Sequence, residues 1–181
     1  MTEDMTMLWN RWRIARWSVV AILLLLPLAM MQVVPDWNWG PGAFVLAGVV
    51  IGGPVLLYEV AARRSASTAY GLGAAVALAT SFVTVWTTIV RDDGNGLGFF
   101  GAVFAAAACA FVAKGRAEGM ARAMLATAGV QALLAALVAT APITQEPVRI
   151  LVLSGVLCLG WLGSAGLFRR SALQEDVSPV T

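Results

Sequence analysis

Few side chains in this 181-residue sequence could do chemistry, and histidine is absent from it. Without histidine the chain cannot form a Ser-His or Cys-His nucleophilic dyad, a proximal-histidine haem site or a histidine-rich metal site. Cys109 and Cys158 each stand alone in an apolar run, without CxxC spacing. Isolated cysteines of this kind usually behave as small apolar residues. We therefore expect no disulfide, no metal site and no cofactor.

Glu59 is the one acidic residue inside a long apolar run of the sequence. It precedes Arg63 by four residues, which is the favoured order for a helical ion pair. Ionisable residues within membrane helices are functional candidates by default. Two interpretations remain open: an acid paired with Arg63 near the lipid headgroups, or a proton or cation site.

Gln131 and a threonine stripe are the other polar features of the apolar runs. Gln131 falls near the middle of its run, where an amide requires a partner, so we interpret it as an interhelical hydrogen-bonding residue. Thr80, Thr84 and Thr87 share one helical face, which favours close helix packing. The alternative is that Gln131, these threonines and Glu59 form one intramembrane polar site. Gln131 would then be a substrate-binding amide, and the threonine hydroxyls would line a polar pathway.

The composition is that of a membrane protein. Hydrophobic residues make up 60% of the chain and charged residues 12%, with a mean hydropathy of +0.82. A soluble domain is about 45–50% apolar and about 25% charged. Because no basic patch with interleaved aromatics lies outside the flanks of the apolar runs, we expect no nucleic-acid partner.

Six apolar runs approach the length of about 20 residues that crosses a bilayer. They predict an all-α, six-helix membrane bundle with spans at Trp17–Val34, Ala43–Ala62, Tyr70–Val90, Leu97–Ala113, Met120–Ala141 and Val148–Phe168. The fourth is the shortest and is rich in alanine, so a re-entrant or tilted segment is its alternative. Pro27 and Pro54 lie inside runs, where we expect them to kink their helices.

Charge asymmetry predicts the orientation. Ten of the twelve basic residues flank one side of the predicted spans. The positive-inside rule then places both termini in the cytoplasm and joins the spans as three hairpins. We expect residues 14–170 to form the transmembrane domain, between short, poorly ordered cytoplasmic tails at 1–13 and 171–181.

Several short motifs resemble one group of proteins. They are Met30-Met31-Gln32, Trp37-Asn38-Trp39 with Ala43-Phe44, Leu57-Tyr58-Glu59-Val60-Ala61, Gly119-Met120-Ala121-Arg122-Ala123 and Gln131-Ala132-Leu133. Together they resemble a group of small, uncharacterised, multi-pass proteins of the bacterial inner membrane. The resemblance covers most of the chain through the fifth span. It implies a bacterial inner-membrane location and carries over no functional residues.

The resulting functional hypothesis is a non-enzymatic accessory or scaffold protein. It would act within the lipid bilayer on a membrane-protein partner or as a homo-oligomer. The alternative is a small transporter or channel with the polar site described above. A membrane enzyme is the third hypothesis, and its only reactive groups would be the loop acids Asp36, Asp92 and Asp93.

Overall fold

The computed structural model describes residues 2–34, 39–63, 65, 67–91, 95–142, 144 and 146–177. All regular structure among them is helical. The elements are α1 (Thr2–Val33), α2 (Pro41–Ala47), a π-helical turn (Gly48–Gly52), α3 (Gly53–Ala62), α4 (Thr68–Arg91), a 3-10 segment (Asn95–Phe99), α5 (Phe100–Ala113), α6 (Ala117–Ala139) and α7 (Pro147–Val177).

The prediction of an all-helical chain with several membrane-length helices is confirmed. Within the described residues, five helical segments are long and apolar enough to cross a membrane: Arg13–Val33, Pro41–Ala62, Thr68–Val90, Ala117–Ala139 and Pro147–Asp176. They match the first, second, third, fifth and sixth predicted spans. The fourth, Leu97–Ala113, is a shorter apolar helix. Its α-helical part, α5, is about 21 Å long at 1.5 Å per residue, short of a hydrocarbon core of about 30 Å.

The second long segment is interrupted where the sequence placed a proline. The π-helical turn ends at Gly52, two residues before Pro54. Proline has no N–H to donate and its ring crowds the carbonyl four residues earlier, so the regular α-helical ladder cannot pass through it unchanged. π-helices are rare and occur mostly as single turns inside α-helices, as here. Pro27 lies inside α1, which continues to Val33.

The ends of the chain are more helical than the sequence suggested. The helix α1 already begins at Thr2, and α7 continues through much of the expected C-terminal tail to Val177. Two hydrogen bonds hold this last part of α7: the Ser67 hydroxyl donates to Gln174 Oε1 over 3.0 Å, and the Ser65 hydroxyl donates to Glu175 Oε1 over 3.4 Å. Ser171 is fully buried. These contacts explain why the helix does not end with the apolar run.

The chain divides into two compact units, residues 1–57 and 58–181. In the first unit, Val20 of α1 lies against Gly52 of the π turn. In the second unit, α7 packs along both α4 and α6, and α5 packs on α6. The core of this second unit is a cluster of buried residues centred on Tyr70, Met124, Trp161 and Phe168, with alanines between them.

Candidate functional site: a buried amide among three packed helices

Small residues allow α4 and α7 to approach closely. The Ser164 hydroxyl of α7 donates to the Gly73 carbonyl of α4 over 2.8 Å. A methyl group added at Gly73 would stand 3.2 Å from the Phe168 ring, and one added at Gly160 would stand 2.4 Å from Thr80 Oγ1. Neither glycine has room for a side chain, so these contacts fix the register of α7 on α4.

A second set of contacts fixes α6 on α7. The Cys158 thiol of α7 lies 3.6 Å from the Ala128 carbonyl of α6, in hydrogen-bonding geometry. Farther along α6, Ala135 is buried in one cluster with Ile150, near the start of α7. The two helices are therefore antiparallel, and each step forward on α6 corresponds to a step back on α7. This register places Gln131 level with residue 155.

The same reasoning brings three polar residues into one layer of the bundle. Since Thr80 meets Gly160, Thr84 lies one turn farther along α4 at the level of residue 156. Ser154 of α7 belongs to the same layer as Thr84 and Gln131. All three are buried, with exposures of 1% for Thr84, 0% for Gln131 and 4% for Ser154.

The side-chain amide of Gln131 is fully buried. Neither Oε1 nor Nε2 has a partner among the described residues. The hydroxyls of Thr84 and Thr127 donate within their own helices, Thr84 to the Thr80 carbonyl and Thr127 to the Ala123 carbonyl. Gln131 faces the bundle interior, as expected. The interhelical hydrogen bond expected for it is not found among the described residues. An unsatisfied buried amide costs about 1–3 kcal/mol.

Trp161 has another buried polar atom without a hydrogen bond among the described residues. The indole is fully buried, and its Nε1 has no hydrogen bond among the described residues. Helical side chains lean toward the N-terminus of their own helix. Because α6 and α7 are antiparallel, this tendency predicts that both side chains extend toward the level of Ala128 and Cys158. The interior thus holds a buried indole donor as well as the buried amide.

The structure places Glu59 far from this layer. Glu59 is buried, with an exposure of 7%, on α3. The adjacent Tyr58 has its hydroxyl against Gly71, in the first turn of α4. From Gly71 to Thr84, α4 rises about 20 Å. Thr84 therefore lies about 20 Å along the bundle from the point where Tyr58, the neighbour of Glu59, contacts α4.

The threonine stripe lies on the packed side of α4. Thr80 and Thr84 are buried and Thr87 is half-buried. Each hydroxyl donates to a backbone carbonyl of its own helix, three or four residues earlier. On the other side Trp86 is 54% exposed and stacks on Phe82. This placement agrees with the packing interpretation of the stripe.

The remaining predicted groups add little chemistry. Asp36, Asp92 and Asp93 lie outside the described residues. Within the described residues, Cys109 and Cys158 are free thiols, and no three Cys, Asp or Glu side chains are placed to share a metal ion. The Arg63 side chain is exposed, and its pairing with Glu59 stays a prediction.

The sequence interpretation missed the contribution of the sixth span. Its buried positions Ser154, Leu157, Trp161, Ser164 and Phe168 recur at spacings of three or four residues, which is the signature of one packed helical face. Two serines and an indole on that face were the available signal. The chain matches no protein-family model, no curated protein and no solved structure.

Proposed function

We propose that the chain is a multi-pass protein of the bacterial inner membrane, with six spans in three hairpins and both termini in the cytoplasm. Five membrane-length helices and the grouping of ten basic residues on one side of the spans support this arrangement. Leu97–Ala113 is the weakest span by length. The 3-10 segment before α5 rises about 2 Å per residue and lengthens it toward the thickness of the bilayer.

Within that membrane, the protein acts as a non-enzymatic accessory or scaffold subunit that binds another membrane protein, or a second copy of itself, through its first two spans. The observation that carries this proposal is the difference in burial between spans. In each of the first two spans, 11% of the 18 most apolar consecutive residues are buried, against 28%, 33% and 33% in the other three membrane-length helices.

The glycines support the same division. Membrane helices associate where small residues let their backbones approach. In the second unit a Cβ at Gly73, Gly119 or Gly160 would meet neighbouring atoms, although other glycines of α6 and α7 are open; in the second span a Cβ at Gly42 or Gly48 would have nothing within 4 Å. The second span therefore carries small residues of the kind that mediate helix contacts, and they are open.

Co-purification tests this proposal. A tag at the C-terminus, gentle extraction from native membranes and mass spectrometry should recover a partner at fixed stoichiometry, or a defined homo-oligomer. Gly48→Leu should abolish that recovery, whereas Gly163→Leu, at an equally open glycine of α7, should leave it unchanged. Recovery of the wild-type chain as a lone monomer would contradict the proposal.

A small transporter or channel is the second candidate, and the unpartnered Gln131 amide is the observation that favours it. Buried polar groups in native structures are normally satisfied, so one that is not requires an explanation such as a bound substrate or water. Because Glu59 lies about 20 Å away along the bundle, the two residues would belong to separate parts of a path. Flux in reconstituted vesicles, lost in Gln131→Met and in Glu59→Gln, would support this function; absence of flux in the wild-type protein would remove it.

A further inference from the structure

A groove runs beside the turn that joins α5 to α6. It has a volume of about 630 Å³ and is more open than enclosed. Alanines of both helices, together with Cys109 and Val112, line most of its length. Arg116, Glu118 and Arg122 line the rest. The groove is therefore apolar for most of its length and charged near the turn.

Close backbone contacts build the charged end. A methyl group added at Gly119 would stand 3.0 Å from Ala113 Cβ, so the helices nearly touch there. Lys114 and Gly115 have φ angles of 50° and 74°, which turn the chain back within two residues. The Tyr70 hydroxyl donates to the Gly115 carbonyl over 2.8 Å and holds this turn against α4.

The charges at this end favour an anion. Arg116 is the N-cap residue of α6, its side chain is exposed, and it makes no side-chain capping bond to the helix. The first N–H groups of a helix lack intrahelical partners and carry a partial positive charge. Arg122 pairs with Glu118, but both side chains are exposed, at 77% and 63%. Exposed pairs of this kind contribute little and exchange readily for another anion.

The groove also has the right depth for a lipid. Ala126, at its apolar end, lies ten residues beyond Arg116 on α6. That distance is about 15 Å, or about half of the hydrocarbon core. A ligand with its charge at Arg116 and its tail at Ala126 would therefore stay within one leaflet. The groove exists because the alanine side chains that line it are small. Val112, which is 77% exposed, forms one of its edges.

We propose that this groove binds an anionic phospholipid, with the phosphate at Arg116 and Arg122 and one acyl chain along the alanines of α5 and α6. Basic pockets between membrane helices are a recurring form of headgroup recognition. Arg116 also borders a neighbouring recess that contains Glu175 and Asp176. The headgroup therefore competes with these carboxylates, and selectivity rests on both arginines together. This inference is independent of the proposed accessory function.

The headgroup contact can be tested by native mass spectrometry of the purified protein after equilibration with equal amounts of phosphatidylglycerol and phosphatidylcholine. The wild-type chain should retain phosphatidylglycerol in preference. Arg116→Gln with Arg122→Gln should lower that preference by about 25-fold, or about fivefold per arginine. The matched control is Arg149→Gln, because Arg149 forms a similarly exposed pair with Glu146, at 69% and 58%, outside the groove. It should behave as wild type.

The acyl-chain contact needs a separate variant that leaves the charges in place. Ala126→Trp should fill the apolar end and reduce retention of phosphatidylglycerol. Ala132→Trp, at an exposed position of the same helix that does not line the groove, should not. Circular dichroism and gel filtration establish that each variant is folded. Equal retention of the two lipids by wild type would overturn the proposal, as would wild-type retention by the arginine double variant or equal losses in the variants and their controls.

Discussion

The two units of the chain use similar apolar helices in different ways. In residues 58–181, about a third of the 18 most apolar consecutive residues of α4, α6 and α7 are buried. The first two spans, which account for most of residues 1–57, bury 11% each although they are no less apolar. Apolar content therefore does not decide which helices associate. An apolar side chain is as well solvated by lipid tails as by a neighbouring helix. Contacts between membrane helices therefore depend on shape complementarity and polar groups.

The side chains at the contacts show the difference directly. Between α4 and α7, Gly73 and Gly160 each receive a side chain from the facing helix, and Ser164 donates across the interface. In the second span Gly42 and Gly48 have open space around them. Gly73 and Gly160 thus take part in contacts between helices of the packed unit, whereas a Cβ at Gly42 or Gly48 would have no neighbour within 4 Å.

The largest effect that sharpens this comparison is expected at Gly160. Gly160→Ala places a methyl group 2.4 Å from Thr80 Oγ1, and threonine is stiff at χ1, so the helices must separate. We expect a loss of about 1–3 kcal/mol in the free energy of unfolding in mixed detergent. Thr80→Ala removes the clashing atoms and should recover most of that loss in the double variant.

Two other glycines calibrate that measurement. Gly163→Ala on the same helix and Gly48→Ala in the first unit introduce methyl groups into open space. Both should leave stability unchanged or slightly raised, because alanine is the better helix former by about 1 kcal/mol. A loss at Gly48 equal to that at Gly160 would remove the distinction between the two units.

The next effect concerns the interior of the packed unit. Gln131→Met exchanges a buried, unpartnered amide for an apolar side chain of similar shape. From the sequence alone, loss of this amide was expected to destabilise the protein through a broken interhelical hydrogen bond. Because the structure shows no hydrogen bond for this amide among the described residues, we expect the opposite effect. The thermal midpoint should rise, and the free energy of unfolding should increase by up to about 2 kcal/mol. A lowered midpoint would mean that the amide binds water or another group.

The smallest effect is expected for a single interhelical hydrogen bond. Ser164→Ala removes the donor to the Gly73 carbonyl. Such bonds contribute about 0.6 kcal/mol on average in membrane proteins, with a maximum of about 1.7. Ser18→Ala, at an exposed position of α1, is the matched change in the other unit and should have no effect. Equal losses for the two variants in detergent unfolding would argue against the comparison.

Much of the helical architecture was predictable, because apolar length is a local property of the sequence. Among the described residues, five membrane-length apolar helices and the shorter Leu97–Ala113 follow from counting apolar residues. The continuation of α7 to Val177 was not predictable, since it depends on hydrogen bonds from Ser65 and Ser67, more than a hundred residues away. At Pro54 the sequence predicted a kink but not the π turn that precedes it.

The candidate polar site was predictable only in part. The midspan position of Gln131 and the common face of Thr80 and Thr84 could be identified from spacing. The similar level of Gln131, Thr84 and Ser154 along the bundle depends on the register of three helices, which periodicity does not encode. The same register separates Glu59 from them.

The central claim is that the first two spans contact a protein partner while the packed unit faces lipid. Site-specific photo-crosslinking in native membranes tests it most directly, with benzoylphenylalanine at Leu25 and Leu46 of the first two spans and at Leu133 and Leu159 of α6 and α7. All four positions are comparably exposed, at 57%, 56%, 61% and 69%. We predict protein adducts of defined mass from Leu25 and Leu46, and none from the other two. Adducts of the same mass from all four positions, or from none, would contradict the account.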